Sequence, residues 1–283
     1  MDRDGGLRRA AHRRRADGAP IPPVAALTGR SRRPDPDRSL GLRLTVAATA
    51  AVLVLVPFAL LALLVLASWS PLFRLDRAVT EALHGYALDH PAWVHAMSVW
   101  TTVFAPGPLR LVTAVVVGWL LVRGARRLAV WAVTTMVVGG LLGVLLKLLV
   151  GRHRPELLDP VARATGFAFP SGHALNATLA AGVLLLVFLP FTRHRRPLRW
   201  ALWTAAVLVT VVTGISRIAL GVHWTSDVLG GWLLGTAVVA ATAAAFTSWR
   251  DGPACGTRGR PVRASNRSWS RAVRQRNRAT RRS

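Results

Sequence analysis

The chain has 283 residues, 52% of them hydrophobic, and a formal net charge of +25. At this length that composition fits one large domain or a polytopic membrane protein, and apolar runs of about twenty residues decide for the membrane. The charge does not indicate nucleic-acid binding. Eleven arginines fall in residues 1–43 and eleven in 250–282, outside the apolar region, with no zinc-finger motif and almost no interleaved aromatics. The lone Cys255 leaves neither an internal disulfide nor a multi-cysteine metal site.

In chain order, residues 1–41 are rich in Arg, Pro, Asp and Gly without apolar period and read as a disordered basic tail. Residues 42–249 read as a membrane domain with six spans, at about 43–68, 108–123, 128–149, 173–191, 200–220 and 227–248, and 250–283 as a second disordered basic tail. The first span is too long for a signal-peptide core and is expected to be retained. Between the first two spans, Leu75, Val79 and Leu83 recur four apart, with Arg74, Asp76, Arg77 and Glu81 off that stripe. This predicts an amphipathic helix at the membrane surface. The apolar stretch 92–105 that follows has only fourteen residues, closed by Pro106-Gly107-Pro108, and is expected to be packed or re-entrant rather than a crossing. The fold class is therefore all-α: a polytopic helix bundle with six transmembrane spans and an extracytoplasmic amphipathic and re-entrant segment.

Six spans put both tails and the loops 123–127 and 192–199 on the cytoplasmic side, leaving eight basic residues outside: Arg74, Arg77, Arg110, Lys147, Arg152, Arg154, Arg163 and Arg217. A seventh span would separate the two arginine-rich tails. Lys147, the only lysine among 37 basic residues, then lies at the outer end of the third span.

Three outward stretches collect the unusual residues: Lys147 and Arg154 in "KLLVGRHRP", Pro170-Ser171-Gly172-His173 at the start of the fourth span, and Ser216, Arg217, His223 and Asp227 in "SRIALGVHWTSD". Three cations with few acids nearby repel one another unless an anion sits between them. A phosphate dianion fits two guanidinium forks and an ammonium. The backbone amides opening the fourth span add an anion site, with Gly172 allowing close approach. His223 and Asp227 are four apart. On a helix start the carboxylate can hold one ring nitrogen and leave the other free to attack, and His173 is then placed to protonate a leaving oxygen.

These residues match a tripartite pattern, K-x-x-x-x-x-x-R-P, P-S-G-H and S-R-x-x-x-x-x-H-x-x-x-D, over Lys147 to Pro155, 170–173 and Ser216 to Asp227. In this the chain resembles the type 2 phosphatidic acid phosphatase family, which shares its site with vanadium haloperoxidases and bacterial acid phosphatases. The resemblance extends over the six-span core of about 200 residues and leaves out both tails. It implies that Lys147, Arg154 and Arg217 bind phosphate oxygens with Ser171 and the Gly172 amide. It further implies that His223 attacks phosphorus to form a phosphohistidine, that Asp227 orients His223, and that His173 is the general acid and later the base for water. The family hydrolyses without a metal, so no cofactor is expected. The ammonium of Lys147 has the reach to snorkel to a phosphate near the membrane surface.

The remaining polar residues have plainer readings. Arg152 and His153 occupy variable motif positions and, with Arg163, are expected in solvent or facing headgroups. Glu156 and Asp159 are expected to pair with loop arginines. His84, His90 and His95 are spaced six and five apart, which does not gather them on one helix face. Trp69, Trp93, Trp100 and Trp224 read as belt or packing residues, and the tail arginines as solvated, with attraction to anionic cytoplasmic lipid. The expected activity is hydrolysis of a lipid phosphomonoester or pyrophosphate (phosphatidic acid, phosphatidylglycerol phosphate or polyprenyl diphosphate) on the extracytoplasmic face of the cell membrane. The alternative is a phosphotransferase that gives the same intermediate to a hydroxyl acceptor. A transporter is disfavoured because the charges cluster at one surface with no inverted repeat. The intact His173, His223 and Asp227 disfavour a dead lipid-binding relative. Oligomeric state has no sequence signal here.

Overall fold

A computed structural model describes residues 36–250, in eight helices with no strand among those residues. They are α1 (Pro36–Leu66), α2 (Ser70–Asp89), α3 (Pro91–Val103), α4 (Pro106–Val122), α5 (Arg126–Val150), α6 (Gly172–Phe188, extended by a 3-10 turn, Leu189–Thr192), α7 (Arg196–Ala219) and α8 (Thr225–Arg250). All contacts below lie within the unit that begins at Leu40. The two expected tails lie outside the described residues except for 36–41, which open α1, and Arg250, which closes α8.

Proline fixes most helix starts. α2, α3, α4 and α7 each carry a proline in their first two positions, where the missing N–H would have had no partner. α5 ends on Gly151 at φ 61°, the left-handed cap that glycine adopts without strain, with its N–H on the Lys147 carbonyl at 3.0 Å.

Five helical runs among the described residues are long and apolar enough to cross a membrane: Pro91–Val122, Arg126–Val150, Gly172–Thr192, Arg196–Ala219 and Thr225–Phe246. The bent pair Val52–Leu66 and Ser70–Asp89, which meet at 91°, is either a sixth, broken span or a re-entrant loop. The chain is a multi-pass membrane helix bundle. The stretch 92–105 forms its own short helix, α3, which ends at Val103 and is set off from α4 by Phe104 and the extended Ala105. It is packed as expected, with Trp100 Nε1 donating to Thr213 Oγ1 at 3.1 Å, and α3 and α4 together make the 32-residue run.

α6 is the central helix, buried at every position from Ala174 to Ala181. Small residues on its neighbours let it in. A Cβ on Gly143 of α5 would lie 2.5 Å from Leu175, and one on Gly231 of α8 would lie 2.8 Å from the Ser171 carbonyl oxygen. Without a hydrophobic drive between helices in lipid, such close approach is what holds them together. The outer faces of α4, α5 and α7 instead expose Leu111, Val115, Leu141, Leu148 and Val207, as lipid contact requires.

α2 is amphipathic as expected, but its buried face is rotated from the predicted stripe. Val79 and Leu83 pack against the Ala174, Ile218 and Val228 cluster, whereas Leu75 is exposed. Asp76 and Thr80 take its place in the interior, each 1% exposed.

Candidate active site

Three chain breaks meet at one end of the bundle: the loop after α5, the start of α6 and the turn between α7 and α8. Backbone bonds tie them together. The Ser171 N–H donates to the Asp227 carbonyl at 2.9 Å, and Ala168 N–H donates to the Arg152 carbonyl at 2.8 Å. One turn into α6, buried Asn176 donates to the Gly172 carbonyl at 2.8 Å and accepts from Arg110 Nε at 3.0 Å, which holds the helix start in place.

His223 is 2% exposed and lies just before α8. Its Nε2 is 3.0 Å from Arg154 Nη1, and its Nδ1 is 3.3 Å from Asp227 Oδ2. A guanidinium has only donors, so Nε2 is the nitrogen with the lone pair and Nδ1 carries the proton toward the carboxylate. That tautomer has a nucleophilic Nε2 facing the Arg154 guanidinium. Burial pushes the imidazole down to about 4, while the hydrogen bond to Asp227 and that carboxylate's charge pull it upward. His223 is therefore neutral at ordinary pH. Asp227 is fully buried, and its Oδ2 also accepts the Trp224 N–H at 2.9 Å.

Arg154 meets this nitrogen, and the charge of Arg217 also acts on the ring. Arg154 donates to the carbonyls of Thr165, Gly166 and Val222 as well as meeting His223, and its burial lowers its pKa from the usual arginine range. Lys147 Nζ donates to the Phe167 carbonyl at 2.7 Å. Arg217, 8% exposed, donates from Nη1 to Thr101 Oγ1 at 3.0 Å. The Gly172 backbone faces the Lys147 side chain, and His173, in the first turn of α6, lies in the fields of Arg217, His223, Arg154 and Lys147. All eight residues expected to form the site are thus neighbours. Two of them hold buried hydrogen-bonding atoms with no partner, Ser171 Oγ and Arg217 Nε. Buried polar atoms are seldom left so.

Arg152 corrects the sequence reading. It was expected in solvent and is instead 7% exposed. Its Nη1 donates to Asp227 Oδ1 at 2.7 Å and to Ser226 Oγ at 2.6 Å, and its Nη2 donates to Asp76 Oδ2 at 2.7 Å. Neither Arg152 nor Asp76 stood out in the sequence. The available signal was an acid on the side of α2 next to its apolar stripe, with a loop rich in arginine elsewhere in the chain. His153 and Arg163 are exposed, as expected; Glu156 and Asp159 are also exposed, and neither is among the ion pairs of the described residues. Among the described residues no three or more His, Cys, Asp or Glu side chains are grouped so as to hold a metal ion.

The PAP2 superfamily profile matches residues 128–251, which contain all three motifs. The lipid A 4'-phosphatase of Rhizobium leguminosarum is 31% identical over 176 residues, covering 52% of this chain and 71% of that protein. The chain belongs to the PAP2 superfamily. Another member, phosphatidylglycerophosphatase B of Bacillus subtilis, is 39% identical over 99 residues, 34% of this chain and 46% of the relative. The undecaprenyl-diphosphatase of Sulfolobus acidocaldarius is 32% identical over 124 residues, 41% of this chain and 54% of the relative. The chain spans about half the length of these last two. The PAP2 fold is also seen in the crystal structure of a transmembrane phosphatidylglycerolphosphate phosphatase from Bacillus subtilis. It superposes with a TM-score of 0.62 at 24% identity, over 71% of this chain and 96% of that one.

Proposed function

We propose that this chain is an integral membrane phosphatase that hydrolyses a lipid phosphomonoester or lipid pyrophosphate through a phosphohistidine. The observation that carries the reading is the His223 ring, with Nδ1 on a buried carboxylate and Nε2, the nitrogen with the lone pair, against the Arg154 guanidinium. The relatives named for phosphatidylglycerophosphate, undecaprenyl diphosphate and lipid A phosphates support a lipid substrate.

In the reaction, Lys147, Arg154 and Arg217, with Ser171 Oγ and the Gly172 N–H, take the phosphoryl oxygens and neutralise their charge. His223 Nε2 attacks phosphorus in line, so a P–N bond forms as the P–O bond to the lipid breaks. His173 gives its proton to the departing oxygen. Asp227 stabilises the positive charge that develops on the His223 ring. Water then attacks phosphorus, His173 takes its proton, the P–N bond breaks and inorganic phosphate leaves. The arginine-rich loops and termini support a site on the extracytoplasmic face with both termini in the cytoplasm, where the basic tails meet anionic lipid.

The test is a phosphate-release assay in detergent on phosphatidic acid, phosphatidylglycerol phosphate and a polyprenyl diphosphate, with lipid products identified in the same tubes. Release from at least one, surviving exhaustive chelation, is expected. No release from any, or loss on chelation restored by magnesium, sinks the reading. Transfer of the phosphoryl group to a lipid or sugar hydroxyl would make the protein a phosphotransferase instead.

A further inference from the structure

The sequence after Lys147 places Gly151 in the left-handed cap, and the chain turns there so that Arg152 enters the protein while His153 stays outside. Its guanidinium lies 4.8 Å from the Phe73 ring and 5.6 Å from the Trp224 ring, so it is held between an aromatic of α2 and one of the α7–α8 turn. The fork then splits between two carboxylates, Asp227 of α8 and Asp76 of α2, at 2.7 Å each. Ser226 closes the circuit. Its N–H donates to Asp76 Oδ1 at 2.9 Å, its hydroxyl donates to Asp76 Oδ2, and it accepts from Arg152. Every member is buried.

The division of Asp227 between its partners gives this network a function. Oδ1 belongs to Arg152, and Oδ2 serves His223 and the Trp224 N–H. A carboxylate free to rotate would swing Oδ2 away from the imidazole, and Arg152 on Oδ1 stops that rotation. Asp76 does two further things. It fixes the arginine that fixes Asp227, and it offsets the arginine's charge, which would otherwise drain the carboxylate's support for a positive ring on His223.

We propose that Arg152 and Asp76 are positioning residues that set the Asp227–His223 pair, making the surface helix α2 a working part of the nucleophile's support. This rests on the phosphohistidine reading. Neither residue touches the phosphate; both act through Asp227.

The test uses the full chain in detergent and dioctanoyl phosphatidic acid, dioctanoyl phosphatidylglycerol phosphate and a short polyprenyl diphosphate as substrates. Asp76→Asn keeps the shape and the acceptor for the Ser226 N–H. It is expected to lower kcat about 10–100-fold, the usual loss for groups that orient a ligating or catalytic side chain, with KM within about twofold. The decisive arm is the double variant. In an Asp227→Asn background, Asp76→Asn is expected to cost less than about threefold more, because a residue acting through Asp227 has little left to lose. Ser226→Ala, a milder change, follows the same pattern if Asp76→Asn fails to fold. Arg152→Lys should retain more activity than Arg152→Met. Full additivity on the Asp227→Asn background, or a rise in KM with kcat unchanged, would overturn the positioning role while leaving the phosphatase reading intact. A wild-type chain inactive on all three substrates would overturn both.

Discussion

Arg154 Nη1 and His223 Nε2 are 3.0 Å apart, so the guanidinium expected to bind phosphate also caps the nitrogen expected to attack it. A phosphoryl group entering between them takes over the guanidinium's N–H and frees the lone pair. Substrate binding and release of the nucleophile are then one event. Arg154→Ala should lower kcat/KM by about 10²-fold or more, the scale of one or two lost charge-assisted hydrogen bonds. Arg154→Lys should recover little, since an ammonium cannot fork between phosphate and the loop carbonyls. Steady-state kinetics on a lipid phosphate checks this, and a lysine variant with near wild-type kcat/KM would contradict it.

His223 should titrate far below an ordinary histidine. Burial lowers it to about 4 against the upward pull of Asp227, so the ring is neutral and Nε2 is nucleophilic throughout the physiological range. Asp227→Asn removes both upward pulls and should lower the value further. For stability the sign follows. The folded value lies below the unfolded value of about 6.5, so the contribution from keeping the ring neutral is full above pH 6.5 and is lost as pH falls toward 4. Titration of 15N-histidine-labelled protein, with His223→Gln to assign the signal, measures it. A value near 6.5, or an upward move in Asp227→Asn, would contradict the account.

The orientation in the membrane is testable at two exposed positions, Arg163 in the loop before α6 and Arg195 at the start of α7. Each is replaced by cysteine in a Cys255→Ser background. A membrane-impermeant thiol reagent applied to intact cells should label position 163 and spare 195. The reverse pattern would turn the protein over and place the site on the cytoplasmic side.

Much of this was legible in the sequence, for physical reasons. The spans are runs of apolar residues closed by arginine or proline, and lipid imposes that contrast on any chain, so the predicted spans lie within a few residues of α4 to α8. The eight candidate residues stood out because the three stretches match the motif pattern of a known family, and the structure brings those stretches to one end of the bundle. One thing was not. Asp76 and Arg152 were hidden because periodicity assigns charge to the surface. A buried acid beside an apolar stripe looks like an exposed one until its partner, 76 residues away in sequence, is seen against it.

The damage from His173→Ala should depend on the leaving group, since protonation matters most when a poor alkoxide departs. An aryl phosphate should retain the largest fraction of wild-type rate, a lipid monoester the smallest, and a lipid pyrophosphate should fall between. Equal loss on all three would remove His173 from the role of general acid.

The central claim is the covalent intermediate on His223. The direct measurement is to mix the wild-type chain and the His223→Ala variant with 32P-labelled lipid phosphate, quench in acid and in base, and locate the label by mass spectrometry. The account predicts a base-stable, acid-labile phosphate on His223 in the wild type. In His223→Ala it predicts no such adduct and a rate loss of roughly 10³-fold or more, as for deletion of a covalent nucleophile. A base-stable adduct that persists in His223→Ala, or a wild-type adduct that survives acid and is lost in base, would contradict it.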